Sequence, residues 1–501
     1  MERSLKVQRP TREELIALAK ADPEAIADLV LMLWDRVVAL EKRIAELERN
    51  SRTSSKPPST DKGNFTNQPK PKPKSLRKKS KRKPGGQKGH PGSTLEQVPN
   101  PDHVTIHDFP SNTACPNCGT SLSQTHDSSD DWEVRQVFDI PPIQLEVTEH
   151  RARRCNCPDC GKHLTAAFPE EVKAHVQYGS RIQATALYLG GYQLLPYGRL
   201  SELFSELFNA PLSEGTLANI VKRGSQKAAV AMEPVREALV QSPVAHADET
   251  SCTLHGKRHW LHVFGTEKLT AYHLDAKRGV EAMERMGLIP RFRGVLIHDC
   301  LGAYFTFLMC WHGLCNAHLQ RELTYLFEEL DQAWAAIMIE LLLKAKDLAE
   351  RELAREEGSP RIIGEGRLKK TLVSYDAILA FGYSQNPEPP PKAKGQRGKV
   401  ARGKALNLLD RFDKYREEIL GFFLYPGLYP YDNNLAERDV RMTKVREKIS
   451  GTFRSEEHAK GFCDIRSIIS SARKQGRAML TTLSDLITRP SELGLSLAQG
   501  S

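Results

Sequence analysis

No apolar run in the 501 residues approaches the roughly 18 needed to cross a membrane, and the first thirty residues lack the apolar core of a signal peptide. Neither a membrane span nor Sec export is expected. Cysteine is sparse. The ten present are too few for a disulfide scaffold, and five of them fall between Cys115 and Cys160, which points to a metal in a reducing, cytoplasmic setting. Acidic residues nearly vanish from one stretch: residues 51–90 hold thirteen Lys and Arg against the single Asp61. The rest of the chain carries 59 basic and 61 acidic residues, so the net +10 is a local surplus. With 40% hydrophobic and 27% charged residues, most of the chain can build cores, and its length predicts about three domains.

Residues 23–50 repeat apolar side chains at heptad spacing, with Val30, Val37 and Ile44 at one seam position and Ile26, Leu33, Leu40 and Leu47 at the other. That pattern fits a short parallel coiled coil that dimerises the chain, or an amphipathic helix packed on its own domain. The Lys-, Pro-, Ser- and Gly-rich run that follows has little to bury and is expected to be disordered alone. It reads as a solubilising linker or, through Arg77, Lys78, Lys79, Lys81, Arg82 and Lys83, as a non-specific contact to nucleic-acid phosphates.

Next come two CPxCG knuckles, Cys115-Pro-Asn-Cys118-Gly and Cys157-Pro-Asp-Cys160-Gly. Together they supply the four thiolates of a tetrahedral zinc, and each Gly permits the turn that aims backbone amides at sulfur. Cys155 is a fifth thiol nearby. The 38 intervening residues alternate at Trp132–Val137 and Ile143–Val147, so strands are expected to fill the gap of a zinc ribbon. Further on, Tyr197–Phe208, a break at Asn209-Ala-Pro, and a restart with Ser213 as N-cap fit a helix-turn-helix or any two packed helices. In the first reading Thr216, Asn219, Lys222 and Arg223 face DNA.

From Ser242 the pattern becomes α+β: three strands (SPVAHADET, HWLHVFG, LTAYHL), a helix over 279–286, and a fourth strand, GVLIHD. Residues 318–385 are strongly helical, a Pro/Lys/Gly loop follows, and helices resume at Ala405. Two strands end in an acid. Val244, His246 and Asp248 share one face, as do Val295, Ile297 and Asp299, so the carboxylates converge if these strands are neighbours. Two divalent ions bridged by carboxylates suit phosphoryl transfer, and the best third acid is Glu437. There an Asn pair can cap a helix whose face continues through Arg441, Lys444 and Lys448. Asp439, two residues on, points about 200° away and reads as inert. His246 reads as a neighbour of the acids, and His298 as a structural residue pointing away from them. Cys315-Asn-Ala-His318 fits a strand-to-helix junction or a second metal site.

These motifs in order, SSKPPS with GGQKGHPGSTL, the paired knuckles, ADET, HDCLGAY, CNAHLQREL, and DNNLAERDVR with KISGTFRS and ARKQG, resemble the DDE transposases of the insertion sequence 66 family over nearly the whole chain. The resemblance implies that Asp248, Asp299 and Glu437 are the catalytic acids, holding Mg2+ or Mn2+ on a ribonuclease-H-like sheet with a helical insertion at about 320–425. It further implies binding to element ends and target as double-stranded DNA, with small proteins of the same element as accessory partners. Cys300, after the second acid, departs from the small or polar residue usual there. The expected multidomain order is a coiled coil (1–50), a basic linker (51–92), a zinc ribbon holding Zn2+ (93–172), a helical DNA-binding region (173–240), the α+β catalytic domain (241–485) and a tail (486–501). A homodimer or larger assembly, cytoplasmic and associated with the bacterial nucleoid, completes the expectation. The competing functions are a nuclease or resolvase on the same sheet, and a catalytically inactive DNA-binding remnant.

Overall fold

The computed structural model describes residues 95–107, 109–121, 132–354, 362–390, 400 and 402–497. The heptad segment and the basic cluster Arg77–Lys83 lie outside the described residues. Two compact units divide the described chain between Glu146 and Val147.

The first unit contains the knuckle Cys115–Cys118. Its backbone closes through Gly119 N–H to Cys115 O and Cys115 N–H to Thr120 O, each 2.9 Å. Gly119 has φ +76°, which a Cβ would disfavour. Hydrogen bonds from Thr120, side chain and then backbone, lower the Cys118 thiol. The second knuckle, in the other unit, repeats the design: Gly161 N–H to Cys157 O and Cys157 N–H to Lys162 O, both 2.9 Å, with Gly161 at φ +70°. It sits at the tip of a hairpin made by β1 (Arg154–Asn156) and β2 (His163–Thr165), where Cys155 pairs with Leu164.

The strands expected across the gap are absent: residues 132–153 form no strand. Alternation alone does not make a sheet, because a strand needs a partner for its backbone and a surface for its apolar face. Here Val137, Ile140 and Val147 are exposed, and Gln136 ties its stretch to Val98 through its side-chain amide rather than through a ladder.

The larger unit opens with α1 (Ser180–Leu187), prolonged by a π turn over Tyr188–Tyr192, then α2 (Tyr197–Phe208) and α3 (Glu214–Val240). Asn209 ends α2 in the left-handed region (φ 47°), and Ser213 caps α3 by accepting from Thr216 N–H at 3.1 Å. Five strands follow in a mixed sheet: β3 (Val244–Leu254), β4 (Lys257–Gly265), β5 (Thr270–Asp275), β6 (Val295–His298) and β7 (Trp311–Leu314). Their order is β5-β4-β3-β6-β7. The first three are antiparallel, and β6 and β7 run parallel to β3. α4 (Val280–Met286) crosses between β5 and β6.

After β7 the chain leaves the sheet for five helices: α5 (Asn316–Leu330), α6 (Ala333–Leu353), α7 (Glu365–Gln385), α8 (Lys404–Lys414) and α9 (Arg416–Leu424). They bury a core of their own around Leu323, Trp334, Leu342, Tyr375, Leu409 and Phe423. The chain then returns as α10 (Asn434–Ser450), α11 (Glu456–Lys474) and α12 (Met479–Thr488).

Each face of the sheet is covered. Ala245, Ala247, Phe264, Ala271 and Leu296 pack into a core with α1, α3, α11 and α12. Cys252, Leu254, Leu261, Val263 and Tyr272 pack on the opposite side with Val440 of α10 and Phe462 of α11. Period-2 side-chain alternation therefore assigns His246 and Asp248 to the α10 side of β3.

Candidate active site

Asp248 belongs to the long central strand β3, and Asp299 follows β6 directly. The parallel register pairs Val244 with Val295 and His246 with Ile297. Continued by two residues, it sets Asp248 opposite Asp299 on adjacent strands, roughly 4.8 Å apart at the backbone. Glu437 comes from the first turn of α10, the helix laid across β3 and β4. A carboxylate there also meets the positive end of the helix.

The three acids share one field. Burial, followed by the charge of Glu249, raises the Asp299 carboxyl to about 7. Burial and the charges of Glu249, Asp299 and Glu437 hold the Asp248 carboxyl well above the usual range. Their carboxylate oxygens do not close to within 4.8 Å of one another as a trio. Like charges forced together in a poorly hydrated crevice favour either protonation or a bound cation. The donor set is all oxygen, which suits Mg2+ or Mn2+.

α10 is anchored in an unexpected way. The Asn pair does not cap the helix with its side chains. Asn433 is buried and turns to β3, where its Nδ2 donates to Ala247 O at 2.7 Å and its Oδ1 lies 3.0 Å from His246 Nδ1. A capping geometry would have pointed that amide back along its own helix. Asp432 instead accepts from Asn434 N–H at 3.0 Å. Burial lowers His246 to about 4, so the neutral ring donates to Asn433 and stays beside the acids. His298 makes its contacts with Asp299 O and with His312 Nδ1, the latter at 3.0 Å, and burial lowers it to about 3.

The family model described as Transposase IS66 family matches residues 175–461, more than half of the chain. The chain belongs to this family. A second model, the zinc-finger binding domain of transposase IS66, matches residues 112–161, a span that includes both CPxCG knuckles of this family member. A third, described as a family of unknown function, matches residues 8–96. No curated protein matches the chain.

Within the IS66-family segment, the structure revises several sequence expectations. Lys444 does not project to solvent with its neighbours. Its Nζ donates to Ser251 O and lies 3.0 Å from Glu447, whose Oε1 accepts from Thr253 N–H at 2.9 Å, so this pair fastens α10 to β3. Arg441 and Lys448 are exposed. Lys222 pairs with Glu457 of α11 at 2.8 Å, and Arg223 is exposed beside it. Asp439 is far from inert: it bonds Lys474 at 2.8 Å, and both side chains are largely buried. The strand β7 was also missed, since four residues, Trp-His-Gly-Leu, are too few to show a period.

Three site residues, Glu249, Arg278 and Arg321, escaped sequence reasoning. Glu249, on the opposite face from Asp248, is 1% exposed, accepts from Tyr304 OH at 2.6 Å and pairs with Arg278 at 2.6 Å. Arg278 also approaches Asp299 at 3.9 Å. Arg321 of α5 reaches Glu437 at 3.3 Å. The signal for Glu249 and Arg321 was membership of a motif, ADET and CNAHLQREL, while Arg278 lies in none of the motifs. No helix among the described residues is long and apolar enough to cross a membrane.

Proposed function

We propose that the chain is a DDE transposase that binds the ends of its element and carries out metal-dependent DNA cleavage and strand transfer. The convergence of Asp248, Asp299 and Glu437 at the end of two parallel strands and the start of one helix carries this reading. The sheet order β5-β4-β3-β6-β7, with three antiparallel strands followed by two parallel ones, supports a ribonuclease-H-like catalytic domain interrupted by the helices α5–α9.

When bound, Mg2+ or Mn2+ supplies the Lewis acidity that makes water, and later a 3′ hydroxyl, a nucleophile toward phosphorus. Asp248 and Asp299 would hold the cations from the sheet, and Glu437 would complete the set from α10. Asn433 and His246 fix the distance between α10 and β3 and so position Glu437. Arg278 and Glu249 brace the sheet side, with Arg278 partly offsetting the acids' charge. Arg441 and Lys448, exposed on α10, and Arg223, exposed on α3, are free to contact phosphates, and the charge of the basic run Arg77, Lys78, Lys79, Lys81, Arg82 and Lys83 suits the same role. The thiolates of the two CPxCG knuckles, Cys115 and Cys118 in one and Cys157 and Cys160 in the other, would serve as Zn2+ ligands, and the zinc-finger domain would position end DNA. The heptad segment makes the dimer. Small proteins encoded with the element are candidate accessory partners, and the protein acts on the nucleoid in the cytoplasm.

The test is cleavage and joining on labelled DNA carrying the element ends, in Mg2+ and in EDTA. Glu437→Gln keeps shape but removes charge, so both reactions should fall by orders of magnitude while DNA binding holds. Cleavage without joining in the unaltered protein indicates a nuclease or resolvase, and binding without either reaction indicates a remnant.

A further inference from the structure

The first turns of α5 and α10 meet at Glu437, and together they make a second ligand set. Cys315 precedes α5 and His318 lies in its first turn, a spacing of three that brings both onto one side of the helix. Cys315 Sγ is 3.8 Å from Glu437 Oε1, and His318 Nδ1 is 3.3 Å from the same oxygen. The three ligand atoms all lie within 4.8 Å of one another, the one such group of three among the described residues. Around a tetrahedral ion with Zn–S of about 2.3 Å and Zn–N or Zn–O of about 2.1 Å, sulfur and oxygen are separated by about 3.6 Å and nitrogen and oxygen by about 3.4 Å. The protein holds sulfur and nitrogen each at nearly those separations from the shared Glu437 oxygen.

Three further contacts point to an ion rather than to a hydrogen-bonded junction. The buried Nδ1 of His318 makes no hydrogen bond, although a carboxylate oxygen is 3.3 Å away. Asn433 N–H donates to Cys315 Sγ at 3.1 Å, the kind of outer-shell amide contact that supports a metal-bound thiolate. Arg321 Nη2 is 3.3 Å from Glu437 Oε2 and 3.5 Å from Oε1, so it leans on the oxygen that the other two donors do not face. The side chains of His318 and Glu437 are 20% and 18% exposed, while Cys315 is buried.

We propose that Cys315, His318 and Glu437 form a binding site for a thiophilic divalent cation such as Zn2+, and that an ion held there withdraws Glu437 from the catalytic acids and inhibits cleavage. Sulfur and imidazole select zinc over the hard Mg2+, which favours the all-oxygen set of Asp248 and Asp299. Binding replaces the Cys315 S–H bond with a Zn–S bond, and one proton leaves for solvent per ion bound. The binding site rests on the geometry alone. The inhibition rests on the reading of Glu437 as the third acid.

The full-length protein is stripped with EDTA, reloaded with excess Zn2+, desalted, and its zinc per chain measured beside Cys315→Ser and His318→Asn. Each variant should hold one zinc fewer than the unaltered chain, with circular dichroism showing that at least one of them keeps its helices. Equal zinc in the unaltered protein and a folded variant overturns the site. Zn2+ is then titrated into Mg2+-supported cleavage, and each protein is compared with its own zinc-free rate. Inhibition of the unaltered protein should require at least about tenfold less zinc than inhibition of a folded variant. Loss of one zinc in the variants, with cleavage by the unaltered protein untouched by zinc, upholds the site and overturns the inhibition together with Glu437 as third acid.

Discussion

Replacing Asp299 with Asn should make the metal-free protein more stable while abolishing cleavage. The carboxyl is raised from 3.8 to about 7 by burial and by the charge of Glu249. A gap of about 3 pH units corresponds to a destabilisation of at most about 4 kcal/mol by the ionised group. The substitution also forfeits attraction to Arg278 at 3.9 Å, although an Asn oxygen can still accept from Leu301 N–H, now at 2.9 Å. A net gain of about 2 kcal/mol, or roughly 3 °C in Tm for a unit of this size, is therefore expected at pH 8. The pH dependence has a definite sign. The native acid binds its proton more tightly than the unfolded chain does, so the unaltered protein loses stability as pH rises from about 4 to about 7. The advantage of Asn should accordingly be small at pH 4.5 and complete above pH 7. Thermal unfolding in EDTA at both pH values measures it. Adding 10 mM Mg2+ should raise the unaltered protein by about 1.4 kcal/mol for a dissociation constant near 1 mM, and the variant by much less. A variant less stable than the parent at pH 8, or a difference independent of pH, would refute a cation site built on strained carboxylates.

Asp439→Asn should cost about 3 kcal/mol, because Lys474 stays largely buried without its charge partner; denaturant unfolding reads this directly. Cys118→Ser should lower zinc content and unfold the zinc-finger domain before it affects metal-dependent chemistry, as measured by metal analysis and limited proteolysis. Neutralising Lys78, Lys79, Arg82 and Lys83 should weaken binding to all DNA sequences alike and flatten the salt slope by up to about 0.9 per lost phosphate contact, checked by titrations at several salt concentrations.

What sequence reveals here depends on how far each residue's neighbours lie along the chain. The runs SPVAHAD and GVLIHD identified both strands and the face shared by Asp248 and Asp299, because the alternation of side chains along a strand is a local property even where both faces are buried. The turn between α2 and α3 was legible for the same reason, since Asn209 and Ser213 act on their own backbone. The role of Asn433 was not. Its partners Ala247 and His246 lie more than 180 residues upstream, and local rules for Asn favour a cap. Lys444 was misplaced because helix spacing gives a face but not what covers it, and Ser251 covers it here. The alternation at Trp132–Val137 misled for want of any packed surface. Glu437 was singled out by the Asn pair before it and the cationic helix face after it, and the order of the family motifs then pointed to the same residue.

The helices α5–α9 also set a clock for the protein's synthesis. Glu437 follows Asp299 by 138 residues. At about 5 to 20 residues per second the ribosome needs about 7 to 28 s to deliver the third acid after the second. Throughout that interval the nascent sheet lacks α10, so the face bearing Cys252, Leu254 and Val263 waits uncovered while the insertion assembles its separate core. A chain released early would carry both sheet acids and no Glu437. Truncated products of this gene are thereby born unable to complete the metal site, and their uncovered face marks them for chaperones or proteases.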